Sequence, residues 1–286
     1  MNTLEFRICI LQGHKQFMSK VGICGINGQI GSHLSSQFGT QAVEVDRLGV
    51  YEGKIDCLVW AAGSTTNRSK KEDTLVELAK VKRTLSGINF STIKHVVLIS
   101  SGGSVYGSHS SLHCNEDAPL NPQTHYGKLK VEIEREFQSL SNEHEFKLSI
   151  LRLANVYSMK GKGLVRTVAN CVDTNKAFTF QVHPNSRKQY GHAADYARAI
   201  FNFISNSNLS SKNITLNLFA PHSYSIREIL NSGLALTKFP ITNSIGSLRL
   251  PVETIILGTK FPNYFGESRE WSEISSFLKR VKRGEM

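Results

Sequence analysis

Long apolar runs are missing from this chain of 286 residues. No stretch approaches the roughly 20 residues needed to span a bilayer, and the N-terminus lacks the basic head, apolar run and small-residue cleavage site of a secretory leader. A cytoplasmic protein with no membrane partner is expected. Cysteine is scarce: Cys9, Cys24, Cys57, Cys114 and Cys171 show no CxxC spacing, which argues against a zinc site or a disulfide framework and for reduced core residues. Internal repeats and low-complexity segments are also absent. Acid is in deficit, with 23 Asp and Glu against 34 Lys and Arg for a net charge of +11. The basic tail Lys279, Arg280, Lys282 and Arg283 raises nucleic acid as a partner, but it reads more simply as a solvated helix end, so no nucleic-acid partner is expected. A positive field also raises the encounter rate of a small dianionic substrate.

What is present is a regular alternation. From Lys20 onward, short apolar runs alternate with helical stretches: KVGIC, a helix from Ile30 to Phe38, AVEV at 42–45, DCLVWAA at 56–62, a helix over 70–87, and HVVLIS at 95–100. A helix from Tyr126 to Ser139, a strand at 147–153 and a helix from Asp195 to Phe203 continue the rhythm. Continuous apolar strands separated by helices imply a parallel sheet covered on both faces, the doubly wound α/β architecture. Gly, Ser, Asn and Lys thicken between Ser158 and Asn175, where the chain is expected to pass to a smaller lobe. Residues 18–157 and 190–215 are assigned to the sheet domain, and 158–189 with 216–286 to the second lobe. Met18 reads as a natural start, which makes 1–17 an extension; an edge strand from Phe6 to Leu11 is the alternative.

Gly25-x-x-Gly28-x-x-Gly31 follows the first strand and opens a helix. In that context the glycines serve a tight turn, a close backbone approach to a diphosphate, and packing of the helix on the strand, while backbone N–H groups at Asn27, Gln29 and Ile30 and the positive helix end face the anion. A dinucleotide is the expected ligand. Asp46, at the end of the second strand, suits the ribose hydroxyls of NAD; Arg47 beside it could instead pair with the extra phosphate of NADP. Tyr126 and Lys130 lie four apart on a helix and so share a face. An ammonium beside a phenol favours its ionised form, which is what proton exchange with a sugar hydroxyl requires.

The segments GINGQIG at 25–31, DCLVWAAG at 56–63, ISSGGSVYG at 99–107, NPQTHYGKLKVEIE at 121–134, LRLANVYS at 151–158, RKQYGHAADYARAI at 187–200 and LNLFAPHSYSIREIL at 216–230 together resemble the NAD-dependent epimerase/dehydratase family, the extended short-chain dehydrogenases that modify nucleotide sugars. The resemblance implies a Rossmann-type doubly wound parallel sheet with a smaller C-terminal substrate-binding lobe. It makes Tyr126 the acid/base and Lys130 its partner at the nicotinamide ribose. Ala61, Ala62 and Gly63 would line the cofactor, Asn155 would bind substrate, and Lys188 or Arg187 would reach the diphosphate of a nucleotide sugar. His192 and Asp195 would shape the lobe junction, and a homodimer would form through the 70–87 and 126–139 helices.

Departures from the family pattern narrow the chemistry. Gly102 stands where a catalytic Ser or Thr is usual, leaving Ser101, then Ser104, as candidates for that role. Gly103 and Ser104 stand where dehydratases carry an Asp-Glu pair, which disfavours dehydration. The expected function is therefore epimerisation at C4 of a UDP- or dTDP-hexose; a 4-keto-sugar reductase, or a non-catalytic dinucleotide sensor, is the alternative. His109, His113, Cys114 and Glu116 read as a polar lid and not as a metal site. Trp60 reads as core packing.

Overall fold

In this computed structural model the described residues are 20–107, 112–180, 183–206, 213–219, 222–243, 253–256 and 272–285. The extension 1–17 and His109 lie outside them. The strands are β1 Val21–Cys24, β2 Ala42–Val45, β3 Cys57–Trp60, β4 His95–Ser101, β5 Leu112–Cys114, β6 Lys147–Leu153, β7 Asn155–Tyr157, β8 Phe178–Phe180, β9 Arg187–His192, β10 Asn213–Leu218, β11 Ser223–Ser225, β12 Ile241–Asn243 and β13 Glu253–Ile256. The helices are α1 Gly31–Phe38, α2 Lys71–Gly87, α3 Gly102–Val105, α4 His125–His144, α5 Leu164–Thr174, α6 Ala193–Asn206, α7 Ile226–Leu234 and α8 Ile274–Lys282.

Six parallel strands form the main sheet in the order β10-β6-β4-β3-β1-β2. Alternation along each strand sends successive side chains to opposite faces. Cys57 and Val59 of β3 pack with Leu34, Phe38, Tyr196 and Ile200 of α1 and α6. Leu58 and Trp60 pack with Val81, Leu85, Leu129 and Phe137 of α2 and α4. Both faces are thus covered, which is why these strands are largely apolar. Trp60 is core, as expected: its ring meets Phe137 edge-on at 5.3 Å. His95 is a polar insertion whose Nε2 lies 2.9 Å from the Ser149 hydroxyl, and burial pushes its pKa down to about 4.

β2 and β3 flank β1 on opposite sides. The chain therefore reverses its direction across the sheet at β1, and the crevice beyond the carboxyl ends of β1 and β3 is where open α/β sheets of this order hold ligands.

A second sheet runs β11-β9-β13-β5, with β7 on β9, and a small pair joins β12 to β8. Val168 and Val172 of α5, Ile229 and Leu230 of α7 and Phe277 and Leu278 of α8 form the core beside it. The stretch from Ser158 to Asn175, expected as a passage, contains α5. Its buried Val165, Val168, Ala169 and Val172 stand at helical spacing, and the polar and glycine residues are confined to its approach and its end. His192 sits where the lobes meet, 5.3 Å from the Tyr157 ring and 5.6 Å from that of Phe277. Burial pushes its pKa down to about 3. Asp195 accepts from Arg198 at 3.1 Å and from the Ser272 hydroxyl at 2.8 Å, tying α6 to the segment before α8.

Candidate active site

The chain leaves β1 through Gly25 at φ +82, a conformation that a Cβ opposes. A Cβ there would also lie 2.8 Å from the Ala62 nitrogen, and one on Gly31 would lie 2.1 Å from the Gly25 carbonyl oxygen. Close packing of loop, helix and β3 exit thus requires both glycines. The Gly28 N–H donates to the Gly25 carbonyl at 2.9 Å, and Gly28, Gln29 and Ile30 face a cleft of about 710 Å³. α1 starts there with no side-chain cap and no acidic residue in its first turn. A bare helix N-terminus behind a loop with no side chain at Gly28 fits the diphosphate of a dinucleotide. Gly25, Asn27 and Gly31 build the loop without lining the cleft.

Six other elements converge on the same cleft. The exit of β3 contributes Ala61, Ala62 and Gly63, the end of β4 with α3 contributes Ser101 and Ser104, α4 contributes Tyr126 and Lys130, β7 contributes Asn155 and β9 contributes Lys188. Asn155 donates its amide to the Gln189 carbonyl at 2.9 Å. Burial lowers the pKa of Lys188, as expected of an ammonium held away from water. Arg187, the other candidate for the diphosphate, turns into the second lobe, where it donates to the Ser223 carbonyl at 2.7 Å and to Glu228 at 2.8 and 2.9 Å. Asp46 closes its own turn, its Oδ1 accepting from the N–H groups of Leu48 at 2.8 Å and Val50 at 2.9 Å. Asp46 and Arg47 are exposed and off the cleft lining.

Thr124 starts α4 by accepting the Gly127 N–H at 3.0 Å, which sets Tyr126 in the first turn and Lys130 one turn later. The Lys130 ammonium donates to the Ile99 carbonyl at 3.3 Å and lies 5.9 Å from the centroid of the Tyr126 ring. Gly102 is buried, whereas Gly103 lines the cleft, and a Cβ on it would meet nothing within 4 Å. Ser101 donates to Ser104 at 3.2 Å, and Ser104 donates to Oδ1 of Asn67 at 3.1 Å. Thr124 donates to the same oxygen at 3.1 Å, and Asn67 lines the cleft. Sequence reasoning missed Asn67. It sits in the polar run STTNRSK, where nothing separates it from its neighbours.

A buried polar network lies beneath these groups. Ser100 donates to Glu134 at 2.5 Å, and Arg152 grips the same carboxylate through Nε at 3.2 Å and Nη2 at 2.7 Å. Arg152 also donates to the Tyr106 hydroxyl at 2.9 Å, and that hydroxyl donates to Asn217 at 2.8 Å. Burial holds the Tyr106 phenol above its ordinary pKa, consistent with this donor role. Asn217 in turn donates its N–H to Glu116 at 3.0 Å and its amide to the Cys114 carbonyl at 3.2 Å. One network therefore fixes β4, α4, β6, β10 and the segment after β5. Among the described residues no group of three or more His, Cys, Asp or Glu is placed to hold a metal ion. Cys24, Cys57, Cys114 and Cys171 are buried free thiols, and among the described residues no helix is long and apolar enough to cross a membrane.

Residues 50–218 match the profile of a family described as Epimerase, the NAD dependent epimerase/dehydratase family. That match begins beyond the glycine loop, so the loop is a separate observation. The chain is 25% identical over 183 residues to a UDP-glucose 4-epimerase of Lactobacillus helveticus, covering 58% of this chain and 55% of that protein. It is 33% identical over 85 residues to a UDP-glucose 4-epimerase of Mycolicibacterium smegmatis, covering 30% of this chain and 27% of that one. The chain thus spans about half the length, or less, of the curated relatives it matches. Among solved structures, UDP-glucose 4-epimerase of Thermotoga maritima with UDP-glucose superposes with a TM-score of 0.73 at 15% identity, covering 93% of this chain and 99% of that one. UDP-glucuronic acid 4-epimerase of Bacillus cereus, in complex with UDP-glucuronic acid and NAD, superposes with a TM-score of 0.77 at 16% identity, covering 92% and 98%. At these identities the likeness concerns the fold.

Proposed function

The chain belongs to the NAD dependent epimerase/dehydratase family, and on that premise we propose that it is a nucleotide-sugar 4-epimerase acting on a UDP- or dTDP-linked hexose. One observation carries the reading. Tyr126, with the Lys130 ammonium 5.9 Å from its ring centroid, shares a single cleft with the glycine loop and with Asn155 and Lys188 of the second sheet. The structural neighbours that hold NAD together with a UDP-sugar support the choice of cofactor and substrate.

NAD, held by Gly28, Gln29, Ile30 and the β3 exit, would supply a reversible hydride acceptor. Tyr126 takes the proton of the C4 hydroxyl as the carbon is oxidised and returns it when the ketone is reduced from the other face. Lys130, fixed by the Ile99 carbonyl, sets a positive charge beside the ring where negative charge develops. Ser101 is the hydroxyl at the end of β4 that we assign to the reacting oxygen, with Ser104 and Asn67 orienting it. Lys188 and Asn155 hold the nucleotide sugar from the second sheet. Five cleft cations, Arg68, Lys130, Lys160, Lys162 and Lys188, face one cleft acid, Glu77, and that acid accepts the Ser64 N–H at 3.2 Å and hydroxyl at 2.6 Å. Such an excess suits two bound diphosphates, one from each ligand.

A reductase using NADPH is favoured by one feature: the Asp46 carboxylate is engaged in its own turn, which weakens its opposition to a 2′-phosphate. The test compares wild type with Tyr126→Phe. The epimerase should carry NAD through purification and interconvert C4 epimers with no net use of added NAD(P)H, and the variant should keep the cofactor while losing turnover by about a hundredfold or more. An empty protein that consumes NADPH would establish the reductase. Unchanged turnover in the variant would remove Tyr126 from the mechanism. We also propose a homodimer through the outer faces of α2 and α4, where Leu75 and Val76 are 56% and 54% exposed.

A further inference from the structure

Residues 158–163, Ser-Met-Lys-Gly-Lys-Gly, lead from β7 of the second sheet to α5. Lys160, Gly161, Lys162 and Gly163 line the cleft, and they touch both of its cofactor-side lips. Gly161 lies so close to Gln29 of the glycine loop that a Cβ on it would be 2.7 Å from Nε2 of that side chain. Lys162 reaches the other lip, donating to the carbonyl of Ser64 just beyond the β3 exit at 3.3 Å. Lys160 stands near the first turn of α1: after burial, its charge is the next cause holding the His33 imidazole below its ordinary pKa.

These contacts are weakly held from the protein's side. Among the described residues neither lysine pairs with a carboxylate, and the only partner of the Lys162 ammonium is a neutral carbonyl. Nε2 of Gln29 is buried with no acceptor. Gly161 and Gly163 flank Lys162, and Gly163 stands at φ +106, so the backbone on either side carries no Cβ to restrict its torsions. Two unneutralised ammonium groups and an orphaned amide donor thus gather over the loop that suits a diphosphate.

We propose that residues 160–163 form a strap whose lysines bind the diphosphate of the dinucleotide across from the glycine loop, so that the second lobe retains the cofactor. This rests on the dinucleotide-binding reading above. A nucleotide sugar carries the same diphosphate chemistry, but the strap's contacts, Gln29 and Ser64, belong to the dinucleotide crevice and not to the Asn155 side. Retention has a use in an epimerase, which must return the hydride it removed before the cofactor escapes.

The test follows release of bound NADH, by its fluorescence, into excess NAD, and separately measures UDP binding by calorimetry. The proteins compared are wild type, Lys160→Gln, Lys162→Gln, the double variant and Lys162→Arg. Each Gln substitution removes one charge-assisted hydrogen bond, which corresponds to about tenfold faster release; the double variant should release faster still with a shallower dependence on salt, and Lys162→Arg should stay near wild type. UDP affinity should not change. Release rates equal to wild type would overturn the proposal, and a loss confined to UDP would do so by assigning the lysines to the nucleotide sugar. Wild type that binds no NADH at all would instead overturn the dinucleotide reading on which the strap depends.

Discussion

Replacing Glu134 with Gln tests the buried network directly. The Glu134 and Arg152 side chains are only 3% and 7% exposed, and they meet at 2.7 Å. The substitution keeps the shape and leaves an acceptor for Ser100, but it strips the charge from the only described carboxylate that neutralises Arg152. A guanidinium left in the core without its counter-charge costs about 3–5 kcal/mol. Arg152→Met, which leaves the carboxylate and the Tyr106 hydroxyl short of donors, should cost a similar amount. Removing both charges, as Glu134→Gln with Arg152→Met, should cost less than either single change, because no charge is left unpaired and only the Gln side-chain amide and the Tyr106 hydroxyl lack partners, at about 1–3 kcal/mol for a buried group left unsatisfied. Urea denaturation of the four proteins reads this out as midpoint shifts at constant slope, and the cycle isolates the coupling. Single variants that each lose under about 1 kcal/mol, with additive effects in the double, would refute the argument, since that is how an exposed pair behaves.

Gly31→Ala should weaken NAD binding at least about tenfold with little change in circular dichroism, because the new methyl, 2.1 Å from the Gly25 carbonyl oxygen, forces the diphosphate loop outward; calorimetry checks it. Acid stability should follow two imidazoles: burial moves His95 from 6.5 to about 4 and His192 from 6.5 to about 3. The unfolded chain then binds protons that the native one refuses, so their contribution is complete above about pH 6.5 and is lost as pH falls toward those values, by about 2 kcal/mol per imidazole at pH 5. Urea midpoints at pH 7 and 5 should show this, with the drop roughly halved in His95→Asn. Leu75→Glu, on the exposed face of α2, should convert the proposed dimer to monomer by light scattering with epimerase chemistry retained at high protein concentration; an unchanged mass would place any interface elsewhere.

The sheet was readable because its strands are covered on both faces and so are mostly apolar; AVEV at 42–45 and KLSILRL at 147–153 coincide with β2 and β6. The glycine loop was readable because its constraints are local: each glycine answers to a turn or a contact within the same strand–loop–helix unit. Polar contacts between distant segments were not. Arg152 interrupts an apolar strand in the sequence, and only the fold brings Glu134 beside it. Asn67 acquires its place through Ser104 and Thr124, 37 and 57 residues away. The strap was hidden for the same reason. A Gly-Lys run reads as a linker until Gln29 and Ser64 are seen on either side of it. Lys188 and Arg187, equivalent in sequence, were separated by strand alternation, which sends Lys188 to the cleft and Arg187 to Glu228.

The central claim is that Tyr126 and a retained dinucleotide invert C4 by removing and returning the same hydrogen. Proton NMR of UDP-glucose, UDP-glucuronic acid and dTDP-glucose incubated with the purified protein in deuterated water, with no cofactor added, tests it most directly. The expected result is conversion of at least one of them to its C4 epimer with no deuterium at C4, since the hydride never meets solvent. Deuterium at C4, or no epimer from any of the three, would contradict the account.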